Sequence, residues 1–213
     1  MDYADLAVML AQGMAVTLEV TAGAVLVAVV AACIAGLARA SASRWLRWPA
    51  AVYVELFRGT SALVQLFWIY FVLPRFGIDI GAMAAAIAAL GLNAGAYGAE
   101  VVRGALRAVP AAQKEAAAAL NLSPTRTLWR VVWPQAVPAM LPPAGNLLIE
   151  LLKNSALVSL IAVTELTFAA QLARTATLQT AEIFVIVLLT YFFMALCMTA
   201  AVRMAERRWR PVA

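Results

Sequence analysis

Ile183 to Val202 reads IFVIVLLTYFFMALCMTAAV, twenty consecutive residues without a charge. In water such a run has to be buried all round. In a bilayer it matches the roughly 20 residues a helix needs to cross about 30 Å of hydrocarbon. The rest of the chain repeats the pattern. Met14 to about Ala38 carries Glu19 as its only charge, and about Pro49 to Leu73 holds Glu55 and Arg58. About Gly81 to Val102 is uncharged from Met83 to Ala99. Val131 to about Ile149 is apolar but contains Pro134, Pro138, Pro142 and Pro143. That proline load predicts a kinked or broken helix held inside the bundle, where freed backbone groups find partners. The segment LLKNSALVSLIAVTEL comes next, with its depth left open.

Composition agrees with these runs. Apolar residues are 65% of the 213, charged residues 13%, and mean hydropathy is +0.88. Soluble domains hold roughly half apolar and about a quarter charged residues. The expectation is an all-α membrane protein of about five transmembrane helices, one domain over 1–213. The N-terminal MDYAD lacks the basic region of a cleavable signal peptide, so the first span is expected to stay. No histidine is present, which removes histidine-based acid–base, nucleophilic and metal-ligand chemistry. Cys33 and Cys197 each lie in an apolar run and read as small buried hydrophobes; no metal site or disulfide framework is indicated.

Twelve of the sixteen basic residues fall after the first, third and fifth spans: Arg39, Arg44 and Arg47; Arg103, Arg107, Lys114, Arg126 and Arg130; Arg203, Arg207, Arg208 and Arg210. Arg75 and Arg174 fall on the other side, with Arg58 and Lys153 at membrane depth. The positive-inside rule puts the larger set in the cytoplasm, the N-terminus outside and the C-terminus inside. Trp45, Trp48, Trp129, Trp133 and Trp209 flank spans on the same side, as interfacial anchors do. Basic residues bordering spans argue against nucleic acid as a partner, although the pI is near 9.7.

This topology places QKEAAAALNLSP, residues 113–124, in the longest cytoplasmic loop. It is a short run of helix formers with Lys114 and Glu115, and Ser123-Pro124 stops it and caps the next helix. A helix of about ten residues is marginal alone in water, so a soluble partner is expected to pack on it.

EAAAALNLSPTRTLWRVVWPQAVPAMLPPAGN resembles the EAA loop of ATP-binding-cassette importer permeases. RGTSALVQLFWIYFVLP, NAGAYGAEVVRGALRAVPAAQKEAA and LLKNSALVSLIAVTEL resemble the polar-amino-acid branch of that family, the histidine/glutamine permease or MetI-like type. The matching core spans about 55–166, with the coupling loop at about 103–130. Asn121 stands where the family usually has Gly, and Ser61 replaces the usual Pro. Lys153-Asn154-Ser155-Ala156 replaces Lys-Asp-Thr-Ser, and Trp133 replaces Leu. NLLIELLKNSALVSLIAVTELTFAAQ and the Leu-Asn after the EAA run resemble members that import ectoine-type compatible solutes.

The resemblance implies a type I importer permease in the bacterial inner membrane that carries polar amino acids or similar solutes by alternating access. Its partners would be a second permease, identical or homologous, two cytoplasmic ATPase subunits and an extracytoplasmic substrate-binding protein. ATP and Mg would sit on the ATPase, and this chain would hold no cofactor, because neither Lys114 nor Lys153 follows Gly in a phosphate loop. Lys114, Glu115, Ala116, Ala117, Leu120, Asn121, Ser123 and Pro124 would form the ATPase-coupling surface. Small alanines would admit a partner groove and Glu115 would meet a basic residue there. Helices 113–120 and 124–133 would form a two-helix lever. Asn121, like Gly, tolerates a left-handed turn.

Ionisable groups in a membrane segment point to function or pairing. Glu55 with Arg58 and Glu150 with Lys153 are spaced i, i+3 and can pair on one helix face. Glu19 lies near the outer boundary, where it can snorkel or, if buried, attract an amino group. Thr60, Gln65, Asn93, Tyr97 and Asn146 either line a solute route or join helices. Glu19, Arg58, Thr60, Gln65, Asn93, Tyr97, Asn146, Glu150 and Lys153 form the candidate pathway set, and Gly91, Gly95 and Gly98 are expected to let helices pack closely. Two other classes compete with the permease reading: a stand-alone secondary transporter or channel, which usually has about ten spans with inverted repeats, and an intramembrane enzyme. Asp2, Asp5 and Asp79 all lie outside the predicted spans, which leaves no intramembrane aspartate pair for the latter.

Overall fold

The computed structural model describes residues 3–209, with side chains over 5–208. Asp2 and Arg210, and the Trp209 side chain, lie outside the described residues. Helix α1 (Tyr3–Ala40) leads to α2 (Arg44–Gly59) and α3 (Ala62–Phe67), which continues through a π turn and a 3-10 turn to Phe76. Then come α4 (Gly81–Ala108), the short α5 (Ala111–Ala119), α6 (Pro124–Thr127) and a π turn over Leu128–Val132 that enters α7 (Trp133–Asn154). A 3-10 segment, Ser155–Ile161, connects to α8 (Leu166–Thr177) and α9 (Thr180–Trp209). No strand occurs among the described residues.

Small residues make the centre. An added Cβ on Gly91 would stand 2.6 Å from Val27 Cβ, on Gly95 2.7 Å from Ala31 Cβ, and on Gly98 2.8 Å from Ala32 Cβ. The α1 and α4 backbones therefore approach more closely than any side chain at those positions permits, as expected for helix association in lipid. Around this seam Val20, Ala24, Leu66, Ala89, Leu90 and Leu151 form one buried cluster from α1, α3, α4 and α7. A second joins Leu6 and Leu10 to α8 and α9 through Ala169, Ala170 and Ile183. The outer face of α9 leaves Leu188, Leu189, Phe192 and Phe193 exposed, which in a bilayer is contact with lipid tails rather than a defect.

Among the described residues four helical stretches are long and apolar enough to span a membrane, and α2 with α3 makes a fifth if that bent pair counts as one span. Two expectations need correction. Pro49 to Leu73 is not one continuous helix: α2 and the α3 segment meet at 107°. Thr60 (φ −123°, ψ 157°) and Ser61 (φ −70°, ψ 135°) are both extended, which ends the helical ladder. The proline-rich region is not broken: α7 runs through Pro138, Pro142 and Pro143 to Asn154. Pro134, Pro138 and Pro142 repeat every fourth residue, so each lost N–H falls near one face and the remaining ladder closes the helix. The irregularity sits just before them, in the π turn.

Candidate functional site

The α5 loop is the first candidate surface. Lys114, Glu115, Ala116, Leu120, Asn121, Ser123 and Pro124 are all exposed, Leu120 at 76%. Ala117 is buried instead, so the alanine face is not uniformly free for a partner. The Gln135 amide donates to Gln113 Oε1 at 3.4 Å, tying α5 to the start of α7. Helix α5 ends in a Schellman motif. Leu122 N–H donates to Ala117 O at 3.1 Å and Asn121 N–H to Ala118 O at 2.9 Å. Asn121 itself takes φ 56°, the left-handed conformation expected of it. Ser123 stands at the N-cap of α6 and Pro124 at its first position, but the Ser123 hydroxyl makes no cap bond. The expected second lever helix, 124–133, is no separate helix: α6 passes through the π turn directly into α7.

The second candidate is a polar seam at the α2–α3 bend. Because α2 stops at Gly59, the Phe57 carbonyl has no helical donor; the Gln65 amide reaches it at 2.8 Å and the Asn93 amide at 3.1 Å. Asn93 also donates to Gln65 Oε1 at 3.0 Å, and Gln65 donates to Thr60 Oγ1 at 2.7 Å. Arg58 lies over the Tyr97 ring, 5.2 Å from its centroid. Thr60 and Gln65 border an open, otherwise apolar cavity of about 630 Å³. Asn93, Tyr97 and Glu150 line a second space between α4 and α7, of only about 10 Å³. That volume holds about one water and no solute.

Five of the nine pathway candidates thus gather at this bend: Arg58, Thr60, Gln65, Asn93 and Tyr97, with Glu150 at the edge. Asn146 and Lys153 share the α7 face of Glu150 by helical spacing and are exposed. Glu19 is exposed on α1 and forms no side-chain hydrogen bond or ion pair with any of the others. Neither expected i, i+3 ion pair forms. Glu55 turns to Arg39 (3.5 Å) while Arg58 takes the Tyr97 ring. Glu150 and Lys153 are both exposed, where water competes for each charge, and no ion pair joins them.

One polar hub escaped the sequence reading. Glu165 is completely buried at the start of α8. Its carboxylate accepts from the backbone N–H of Thr167 and of Phe168, both at 2.8 Å, and from Tyr191 Oη at 2.8 Å. The Thr17 hydroxyl lies 3.4 Å away and accepts the Leu166 N–H at 3.1 Å. Glu165 therefore caps α8 and joins it to α1 and α9. The signal in the sequence was an acid directly before an amphipathic helical run; Glu is an unusual cap residue, so the pattern is faint.

Residues 24–211 match the family described as the inner membrane component of binding-protein-dependent transport systems. The chain is 42% identical to a probable amino-acid ABC transporter permease, y4tF of Sinorhizobium fredii, over 99% of this chain and 92% of that one. It is 34% identical to the glutamine transport system permease GlnP of Escherichia coli, over 95% and 93% of the two chains. The L-cystine transport system permease TcyB of Bacillus subtilis is 39% identical over 74% of this chain and 67% of that one. Among solved structures, an amino acid ABC transporter crystallised with histidines superposes with TM-score 0.89 at 34% identity, covering 98% and 99% of the chains. The MetNI methionine ABC transporter in an inward-facing form shares the fold, with TM-score 0.81 at 24% identity over 95% and 96%. A multi-pass α-helical bundle with an exposed loop helix, matched over nearly its whole length in this way, belongs to the binding-protein-dependent transport family: the chain is an inner-membrane permease subunit of an ATP-binding-cassette importer and not itself an enzyme.

Proposed function

We propose that this chain forms half of a translocation pathway for polar amino acids, with a second permease copy or homologue supplying the other half. The observation that carries the reading is α5, a short exposed helix held in place by a left-handed turn at Asn121 and flanked by the bundle's basic end. Two ATPase subunits, which carry ATP and Mg, dock on Lys114 to Pro124. A binding protein delivers solute to the opposite, N-terminal side, and the C-terminus is cytoplasmic. The relatives named for glutamine and L-cystine support an amino-acid solute; ectoine-type compatible solutes belong in the same trial set.

Arg58, Thr60, Gln65, Asn93, Tyr97 and Glu150 form this subunit's share of the route, with Asn146 and Lys153 further along the α7 face. The narrow α4–α7 space does not enclose a solute by itself, which fits a route completed by a second permease. The test is uptake into proteoliposomes holding the chain with its co-purifying subunits and binding protein. Uptake of radiolabelled glutamine, cystine, arginine or ectoine should require internal ATP, and Glu115→Lys should release the ATPase from the purified complex. Uptake by the chain alone, driven by an ion gradient, would instead establish a secondary transporter. An intact ATPase complex after Glu115→Lys and after deletion of 113–124 would remove α5 from the reading.

A further inference from the structure

Five arginines meet at one end of the bundle. Arg39 comes from the end of α1, Arg44 and Arg47 from the start of α2, and Arg103 and Arg107 from the end of α4. With Trp48 they line an open cavity of about 260 Å³. Two carboxylates reach this cluster. Glu100 lies 3.0 Å from Arg39 Nε and accepts from Arg103 Nε at 2.9 Å, while Glu55 lies 3.5 Å from Arg39 Nη1. Arg39 and Arg103 are thereby matched. Among the described residues no carboxylate pairs with Arg44, Arg47 or Arg107, and no hydrogen bond engages their guanidinium groups. The cavity keeps three uncompensated guanidinium groups drawn from two helices, at a site those helices build together.

We propose that this cavity binds the phosphate of an anionic phospholipid headgroup. Guanidinium is the side chain best shaped for phosphate, since its planar fork pairs with two oxygens at once. Size favours a headgroup over a nucleotide: 260 Å³ is below the roughly 300–1,000 Å³ of pockets that enclose a whole small molecule. The surroundings favour a lipid. Trp45, Leu46 and Trp48 stand beside the arginines, 86%, 57% and 70% exposed, as side chains at a bilayer interface do. Basic pockets between transmembrane helices on the cytoplasmic side are where anionic headgroups bind, and the proposed orientation places this end there. The acyl chains would then lie along the exposed apolar side chains of α2. Arg107 is the penultimate residue of α4, and Val109 and Pro110 alone separate α4 from α5. A headgroup bridging α2 to Arg107 would therefore brace the base of the coupling helix, and the anionic lipid content of the membrane would tune coupling.

The experiment is native mass spectrometry of the detergent-solubilised complex, titrated with phosphatidylglycerol, phosphatidylcholine or inorganic phosphate. Wild type should retain phosphatidylglycerol and not phosphatidylcholine. The variant R44Q/R47Q/R107Q should lose affinity on the order of a hundredfold, about fivefold per arginine. R44K/R47K/R107K should keep most of it. If the triple Gln variant does not assemble, Arg107→Gln alone should show the fivefold loss. Equal phosphatidylglycerol retention by the Gln variants would overturn the proposal. So would displacement of the lipid by inorganic phosphate at matched concentration, which would make the occupant a soluble anion. Loss of the ATPase from the Gln variant with lipid retention unchanged would equally overturn it, assigning the arginines to protein docking. Lipid binding is read independently of transport, so a failure here is separable from a failure of the permease function.

Discussion

Replacing Asn121 by valine isolates the energetic role of one backbone turn. Asn121 has φ 56° and closes α5 through its own N–H to Ala118 O (2.9 Å) and that of Leu122 to Ala117 O (3.1 Å). An L-residue in this conformation sets Cβ against the following carbonyl at a cost of about 1–2 kcal/mol, least for Asn and highest for β-branched residues. Asn121→Val should therefore cost about 1 kcal/mol more than Asn already does, while Asn121→Gly should recover about 0.5 kcal/mol. Nearby packing cannot absorb the strain, because Leu120 is 76% exposed and Asn121 is exposed as well. The readout is hydrogen–deuterium exchange of residues 116–122, corrected for intrinsic rates. Opening should rise about fivefold in the Val variant and fall two- to threefold in the Gly variant, since 1.4 kcal/mol is about tenfold. ATP-coupled uptake should fall with the Val variant only. Unchanged protection at Asn121 and Leu122 in the Val protein would refute the turn's energetic role.

Three further perturbations test the packing. Tyr191→Phe removes the 2.8 Å bond to the buried Glu165 and should lower unfolding stability by about 1–3 kcal/mol in detergent. A double-mutant cycle with Glu165→Ala should show coupling above about 0.5 kcal/mol, and strict additivity would argue against the hub. Gly95→Ala should destabilise by about 1–3 kcal/mol, because the new Cβ meets Ala31 Cβ at 2.7 Å and Tyr53 Oη at 3.0 Å. Gly59→Ala, with nothing within 4 Å, is the matched control and should change the melting temperature little. Asn93→Leu removes one of two donors to the Phe57 carbonyl, and the α2–α3 corner should show faster exchange or easier proteolysis than wild type.

The sequence made some of this legible for identifiable reasons. Apolar runs of about twenty residues have one stable outcome in a bilayer, so α1, α4 and α9 were readable, and they extend beyond the predicted spans because amphipathic turns continue past the hydrocarbon. Gly91, Gly95 and Gly98 were readable as packing positions because their spacing lines one helix face. Asn121 was readable because few residues accept a left-handed turn. The α2–α3 bend was not readable: Gly59-Thr60-Ser61 carries no proline and no charge, and its apolar flanks imitate one span. The proline count in α7 misled in the opposite direction, since Pro134, Pro138 and Pro142 lie near one face and Pro143 removes only one bond beyond it, leaving enough of the ladder to hold the helix. Glu55 and Arg58 had the spacing of a pair, but Arg39 and Tyr97, distant in sequence, offered each a partner. Glu165 was faint for a related reason: beyond its local cap bonds to Thr167 and Phe168, its partners Thr17 and Tyr191 lie on helices that meet it only in the fold.

The seam at the bend constrains how the proposed pathway has to work. Gln65 and Asn93 are not waiting for a solute: their amides already satisfy the Phe57 carbonyl that the end of α2 leaves without a donor. An unsatisfied carbonyl at that depth costs about 1–3 kcal/mol, so both amides can turn to a solute at once only when the bend itself changes or the solute supplies a donor in exchange. The groups without that obligation are Glu150, Asn146 and Lys153 along α7, which are exposed and form no side-chain hydrogen bond or ion pair with another helix among the described residues. Helix α7 is also the helix into which the α5–α6 loop runs without a break, through the π turn at Leu128–Val132. In the proposed coupling, a push on α5 would pass along α7 to this polar face, while the amide-stapled corner of α2 and α3 would keep its own shape. If the proposed pathway holds, recognition would belong to α7 and shape to the stapled corner, so substitutions at Glu150 should alter uptake before they alter stability, and substitutions at Asn93 should do the reverse.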